Sequence, residues 1–70
     1  MTTLDACGIS CPEPLIMLKN ALKSEKELLL LVDSKMAFEN CEGYAKKQGF
    51  AVVTERNDEV YKLRIKAINA

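Results

Sequence analysis

The segment ELLLLVD, residues 27–33, determines how the rest of the chain can be arranged. It is a short, continuous apolar run with a charged residue at each end. Such a run is typical of a buried strand that is paired on both of its edges. It is also far shorter than the roughly 20 apolar residues that a membrane-spanning helix needs. We therefore expect a central strand here, with another strand on each side.

A helix is predicted on either side of this strand. Residues 12–24 repeat apolar side chains at spacings of three and four, which indicates an amphipathic helix. Its inner face consists of Leu15, Leu18, Ala21 and Leu22. Residues 35–48 predict a second helix, with Asp33 or Ser34 as its N-terminal cap and Gly49 as its left-handed C-terminal cap. The apolar face of this second helix is formed by Ala37, Cys41, Tyr44, Ala45 and Gln48, with Phe38 beside it.

Three further strands are predicted towards the two ends of the chain. Residues 2–6, TTLDA, form a short strand before Gly8, and residues 50–55, FAVVTE, are rich in strand-forming side chains. In the last segment apolar and basic residues alternate, which indicates two opposite faces of a strand. Tyr61, Leu63, Ile65 and Ala67 share one face, and Lys62, Arg64 and Lys66 share the other. Asn57 and Asp58 supply turn chemistry, so we expect the last two strands to form a hairpin.

The order strand, helix, strand, helix, strand, strand defines the expected fold. Strands joined through a helix favour parallel pairing with a right-handed crossover. The simplest arrangement is a two-layer α/β sandwich, in which a mixed four-stranded sheet carries two helices on one face. Residues 1–70 are expected to form a single domain, since the chain is short. The other face of the sheet would be open, and its leucines and basic stripe indicate either a partner surface or a solvated face.

The composition excludes several classes of function. Ten basic and ten acidic residues give a net charge of zero, so there is no electrostatic case for direct binding of nucleic acid or of a membrane surface. No targeting segment is visible, and we expect a cytoplasmic protein without membrane insertion. Histidine is absent, which excludes a Cys–His nucleophile and a Cys/His zinc site within the chain. Neither a metal nor a cofactor is expected, and Cys41 is predicted to be a small packing residue.

The segment GISCPEPLIM, residues 8–17, places a cysteine where the first helix begins. With Cys11 as the N-cap, Pro12 and Pro14 occupy positions whose N–H groups would have had no intrahelical partner. The amide of Glu13 then remains to donate to the cysteine sulfur. The helix dipole favours a thiolate there and the Glu13 carboxylate opposes it, so we expect a modestly activated nucleophile. The alternative is that Cys11 is only a small N-cap.

The stretch LDACGISCPEPL, residues 4–15, resembles the TusA-like sulfur carrier family, also called SirA-like or YedF-like. The signature of that family is leucine, aspartate, two variable residues, glycine, two variable residues and C-P-x-P at a helix start. Here it corresponds to Leu4, Asp5, Gly8, Cys11, Pro12 and Pro14, and Lys19, Ala21 and Leu22 also match the family's first helix. The later stretch VDSKMAFEN…AKKQGF is similar to the YedF-type branch.

The resemblance implies a two-layer α/β sandwich and a sulfurtransferase-type carrier function. It implies that Cys11 is the catalytic residue, which accepts sulfane sulfur as a persulfide and hands it to an acceptor protein. The implied donor is a cysteine desulfurase or another sulfur donor protein, and the sulfur would go towards tRNA thiolation or related products, with selenium as an alternative cargo. The residues expected to support the site are Cys7, Gly8, Pro12, Glu13 and Pro14.

Cys7 stands where many members of that family carry arginine, and two further hypotheses stay open. A reversible disulfide between Cys7 and Cys11, across a turn expected at Gly8, would make the chain a redox-regulated thiol protein. The same two thiols can also help to bind a soft metal, although two thiolates are too few for a closed zinc site without a second chain. Cys7 can also be simply a small residue that ends the first strand. A non-catalytic regulatory or binding module would use the open sheet face and neither thiol.

Overall fold

The residues that the structure describes, 2–9 and 13–68 of a computed structural model, form four strands and two helices. They follow one another in the predicted order, strand, helix, strand, helix, strand, strand. In chain order the elements are β1 (Thr2–Asp5), α1 (Glu13–Leu22), β2 (Glu27–Val32), α2 (Lys35–Lys47), β3 (Phe50–Asn57) and β4 (Val60–Ala67).

The four strands form one mixed sheet in the order β1-β2-β4-β3. β1 runs parallel to β2, with Leu4 beside Leu30, whereas β4 is antiparallel to both β2 and β3. β2 therefore has a strand on each edge, as the apolar segment 27–33 predicted. A parallel pair needs a crossover connection, which contains α1, and β3 and β4 form the predicted hairpin.

Alternate residues of the two central strands form the core. Leu28, Leu30 and Val32 of β2 are buried. Ile65 and Leu63, which stand opposite the two leucines on β4, are buried as well. The two helices contribute four buried residues to the same cluster: Leu18, Ala37, Cys41 and Ala45. Both helices thus cover one face of the sheet, which confirms the two-layer α/β sandwich and gives the fully buried Cys41 a packing role.

The ends of α2 are formed by residues predicted to cap it. Ser34 has an extended backbone and its Oγ accepts the N–H of Ala37 over 3.4 Å, so Ser34 rather than Asp33 is the N-cap. At the other end Gln48 is the C-cap, and Gly49 follows with φ +90. This left-handed glycine ends the helix as predicted.

Both helices are shorter at their C-terminal ends than predicted. α1 ends at Leu22, because bonds between residues three apart follow it: the N–H of Lys23 donates to the Asn20 carbonyl over 3.3 Å, and the N–H of Ser24 donates to the Ala21 carbonyl over 3.2 Å. α2 ends at Lys47, so the predicted placement of Gln48 on the apolar face was wrong, and its side chain is exposed. Neither helix of the described ranges is long and apolar enough to cross a membrane.

Four strand boundaries also differ from the prediction. β1 ends at Asp5, one residue before the predicted end, and β4 begins at Val60, one residue before the predicted start. β2 ends at Val32, one residue before the predicted end. β3 extends to Asn57, which pairs with Val60, so the hairpin turn is formed by Asp58 and Glu59. Asp58 has φ +56, a conformation that aspartate tolerates better than most residues. The turn signal was recognised correctly but displaced by one residue.

The face of the sheet opposite the helices is open. Leu29 and Leu31 are half-buried there and stand in register with Arg64 and Lys62 of β4. Val53 of β3, opposite Arg64, is 65% exposed. Apolar and basic side chains therefore share this face, as the alternation in the last strand predicted.

Candidate functional site

The turn that contains Cys7 and Gly8 lies at the end of the sheet where the carboxyl ends of β1 and β2 meet. The two strands are parallel, so their carboxyl ends meet at the same edge. A bond of 2.8 Å from the Ala6 N–H to the Leu31 carbonyl continues their pairing. Beyond it the first strand leads into the turn, and the second leads into Asp33. Each strand is followed by a helix, so the positive ends of two helix dipoles also begin near this edge.

The conformation of this turn depends on glycine. The N–H of Ile9 donates to the Ala6 carbonyl over 3.3 Å, which closes the turn. Gly8 adopts φ +79, in the left-handed region that residues with a Cβ rarely occupy. An added Cβ at Gly8 would meet nothing within 4 Å, so backbone conformation rather than space requires glycine here. The turn expected from the sequence at Gly8 is therefore present.

Two carboxylates hold the amides of the turn. Asp5 Oδ1 accepts the N–H of Cys7 over 3.1 Å, and Asp33 Oδ2 accepts the N–H of Gly8 over 2.9 Å. Asp33 reaches across from the loop after β2, 25 residues away in sequence. The sequence indicated Asp5 only as part of the family motif and Asp33 only as a candidate cap. The signal that was missed is an aspartate directly after the inner strand of a parallel pair.

Cys7 is a half-buried free thiol whose surroundings oppose ionisation. Removal from water raises the pKa of Cys7 above its ordinary value of 9.0. The hydrogen bond with Asp5 and the negative charges of Asp5 and Asp33 raise this pKa further, because each favours the protonated thiol. Cys7 is therefore protonated at neutral pH. Since the thiolate is the reactive form, this cysteine is a weak nucleophile.

Cys11 and Pro12, which stand at the centre of the predicted site, lie outside the described residues. The residues on both sides of their segment are described. Before it, Ile9 packs against the core cluster, and after it, Pro14 is fully buried in the first turn of α1. The side chain of Glu13 is exposed. Proline is tolerated in this first turn because the amides there have no intrahelical partner.

The other features of the described residues do not form a second site for thiol chemistry. A groove of about 400 Å³ lies between the C-terminal halves of α1 and α2, where Lys19 Nζ stands 5.2 Å from the ring centroid of Tyr44. The described residues that were predicted for the site do not line this groove. Within residues 2–9 and 13–68, no group of three or more histidine, cysteine, aspartate or glutamate side chains could hold a metal ion.

Known proteins resemble this chain over nearly its whole length. A family model described as "Sulfurtransferase TusA" matches residues 2–67, a range that includes all six elements. The crystal structure of a SirA-like protein from Desulfitobacterium hafniense has the same fold, with a TM-score of 0.82 and 31% sequence identity. That similarity covers 93% of this chain and 95% of the other. No curated protein sequence matches the chain.

Proposed function

The chain belongs to the TusA sulfurtransferase family, and from this we propose that it is a small sulfur carrier whose Cys11 accepts sulfane sulfur as a persulfide. The carrier then relays the sulfur to an acceptor protein. The observation that carries the proposal is the family match over residues 2–67, a range within which Cys11 lies. The similarity to a SirA-like protein, at 31% identity, supports the same general role.

The proposed transfer is an exchange between sulfur atoms. The thiolate of Cys11 attacks the outer sulfur of a persulfide on the donor protein, and the donor cysteine leaves as a thiolate. An acceptor thiolate then attacks the outer sulfur of the Cys11 persulfide, and Cys11 leaves as a thiolate. Each step breaks one S–S bond and forms another, so neither an oxidant nor a reductant is consumed. A histidine base is not required when the attacking thiol is already partly ionised.

The start of α1 favours the anions that this exchange uses. The N-terminus of a helix carries partial positive charge and free N–H groups, which stabilise a thiolate or a persulfide anion. Glu13 adds an exposed negative charge in the first turn, so the net effect is modest. We propose that Pro12 and Pro14 stiffen the turn and remove amides that would compete for the sulfur.

The surroundings of the other two cysteines support Cys11 as the carrier thiol. Asp5 and Asp33 help to keep Cys7 protonated, which suppresses its reaction with a donor persulfide. Cys41 has no exposed surface and is out of reach of a partner protein. Of the three cysteines, Cys11 is therefore the one that we assign to sulfur transfer.

A relay requires at least two protein partners. We propose a cysteine desulfurase, or another protein that carries a persulfide, as the donor and a second thiol protein as the acceptor. Delivery towards tRNA thiolation or related sulfur or selenium metabolism is the corresponding proposal for the product. A cytoplasmic location belongs to the same proposal, because free thiols stay reduced there.

Intact-protein mass spectrometry tests the carrier function. The wild type, Cys7→Ser and Cys11→Ser are each incubated with a cysteine desulfurase and cysteine. We expect the wild type and Cys7→Ser to gain the mass of one sulfur atom and to lose it again on treatment with a reductant. Cys11→Ser should gain nothing, while a circular dichroism spectrum like that of the wild type shows that it is folded.

Other outcomes would favour the remaining hypotheses. If the wild type gains no sulfur but forms a Cys7–Cys11 disulfide under mild oxidation, the relay is contradicted and a redox-regulated thiol protein becomes the better interpretation. If neither modification occurs, a non-catalytic binding or regulatory module is favoured, and the open sheet face becomes the surface to mutate.

A further inference from the structure

A side-chain contact joins the two loops at the candidate site. The backbone pairing of β1 with β2 continues as far as the bond between Ala6 and Leu31. One step further along, the Gly8 N–H donates to Asp33 Oδ2 over 2.9 Å, so a carboxylate takes the place of a backbone carbonyl. A hydrogen bond from a backbone N–H to a charged acceptor is stronger than one to a neutral carbonyl. The contact therefore extends the connection between the strands into the loops that follow them.

We propose that Asp33 is the positioning residue of the sulfur-bearing loop: its carboxylate holds the Gly8 amide and thereby directs the chain into the segment that carries Cys11. The inference rests on the proposed function, because it takes Cys11 as the carrier thiol. It adds a residue that the sequence indicated only as a candidate helix cap.

The backbone of Asp33, which supplies the acceptor of this hydrogen bond, is held in place on both sides. Asp33 stands between Val32, which is 1% exposed, and Ser34, which caps α2. Its backbone is thus fixed by the core on one side and by a helix start on the other. The Asp33 carboxylate can therefore hold a neighbouring loop without moving with it.

The loop that is held has a flexible residue at the point of contact. Gly8 has the widest choice of backbone conformations, and it is found at φ +79. Four residues, 9–12, separate it from α1, and Cys11 is the third of them. A change in the orientation of the Gly8 peptide would therefore redirect the chain shortly before residues 10–12, which include Cys11. An acceptor on that peptide limits such changes.

The charge of Asp33 has a second effect at the same turn. Together with Asp5 it raises the pKa of Cys7 and favours the protonated thiol. The hydrogen-bond effect and the charge effect can be separated by substitution. Asp33→Asn keeps an oxygen acceptor and removes the charge, whereas Asp33→Ala removes both. If Asp33 acts by positioning, asparagine should largely replace aspartate and alanine should not.

The test measures persulfide formation on Cys11 by mass spectrometry, with a cysteine desulfurase as donor over a range of concentrations. All chains carry Cys7→Ser, so that the charge effect on Cys7 does not contribute. We expect Asp33→Ala to lower the rate at saturating donor roughly tenfold, because a displaced nucleophile reacts more slowly. The donor concentration at half-saturation should stay unchanged, and Asp33→Asn should stay within about threefold of the parent chain. Glu59→Ala, which removes an exposed carboxylate from the β3–β4 turn, is the matched control and should have no effect.

Amide hydrogen exchange at Gly8, measured by NMR, reports directly on the hydrogen bond from the Gly8 N–H to Asp33. Its protection should be kept in Asp33→Asn and lost in Asp33→Ala, while the core amides stay protected in both. Equal loading rates for Asp33→Ala and the parent chain would overturn the positioning role and leave the carrier function intact. A loss in Asp33→Asn as large as in Asp33→Ala would overturn it too, because charge would then be the cause. If the parent chain takes up no sulfur, the proposed function fails and the inference fails with it.

Discussion

At Cys7, burial and two nearby carboxylates all raise the pKa of the thiol. Each of them favours the neutral thiol over the thiolate, and burial is the largest of these effects. Many members of the family carry a cation at the corresponding position, which would favour an anion nearby. This chain instead places there a thiol that is held in its unreactive form. The two cysteines of the motif region are thus expected to differ in reactivity although they are only four residues apart.

The raised pKa of Cys7 predicts a loss of stability at alkaline pH. The pKa in the folded protein lies above the ordinary 9.0, so the unfolded chain releases the thiol proton at lower pH than the folded one. This contribution to the free energy of unfolding is fully present below the unfolded-state pKa and is lost as the pH rises through the raised folded-state value. Thermal unfolding between about pH 7 and 11 should show it.

Cys7→Ser is the control for this pH dependence. Tyrosines and lysines also titrate at alkaline pH, but they are common to both chains, so the difference between the two unfolding curves isolates Cys7. We expect the wild type to lose stability relative to Cys7→Ser as the pH rises. A difference that does not change with pH would contradict the proposed environment of this thiol.

Glycine has a left-handed conformation in the turn after β1, whereas in α2 it occupies a helical position that other residues favour. Gly8 is left-handed in the turn before the Cys11 segment, whereas Gly43 lies within α2 and is exposed. An added Cβ would meet nothing within 4 Å at either position. Any effect of alanine therefore comes from backbone conformation and not from a clash. The two glycines consequently form a matched pair for testing the conformation of each element.

Alanine should have opposite effects at these two glycines. Gly43→Ala is expected to raise the free energy of unfolding by about 1 kcal/mol, because glycine is a poor residue inside a helix. Gly8→Ala is expected to lower it by at least about 1 kcal/mol, because the left-handed conformation is unfavourable for a residue with a Cβ. Urea denaturation measures both changes. A Gly8→Ala variant as stable as the wild type would show that the turn does not need the conformation found here.

At the scale of the whole molecule, one small core on one side of the sheet holds the fold together. Its buried apolar residues come from both helices, from β2 and β4, and from Ala6 after β1. A folded chain of 70 residues has little surplus stability, since a fold of that size buries only about 60% of the surface that its unfolded chain exposes. The two faces of the sheet are therefore expected to respond very differently to truncation.

Leu30 and Leu29 are neighbours on β2 that face opposite sides of the sheet. Leu30 is fully buried beneath the helices, and Leu29 is half-buried on the open face. Leu30→Ala should cost roughly 2–5 kcal/mol, because it removes core contacts and leaves a cavity. Leu29→Ala should cost about 1 kcal/mol, because the half-buried Leu29 side chain removes less apolar surface from water on folding. Urea denaturation of the two variants compares them directly, and equal losses would contradict an open second face.

The sequence by itself determined the order of the elements and the central place of β2. The continuous apolar run of residues 27–33 predicted a strand with two neighbours, and the period of the apolar residues predicted which faces of the helices are buried. The sequence also contained the signals for Ser34 as a helix cap and for Gly8 as a turn. Such signals are local, because they depend on a few neighbouring residues. The motif around Cys11 indicated the family in the same way, and the match over residues 2–67 confirmed it.

Only the tertiary structure decided which loops meet at the site. The pairing of β1 with β2 brings Asp33 to Gly8 across 25 residues of sequence, and it adds the charge of Asp33 to that of the sequence neighbour Asp5 near Cys7. It also decided where α1 ends, since the chain there must turn towards β2. Local periodicity reports which face of an element is apolar, but it contains no information about the register between two strands. The contribution of Asp33 to the electrostatic surroundings of the thiol depends on that register, and so it follows from the fold.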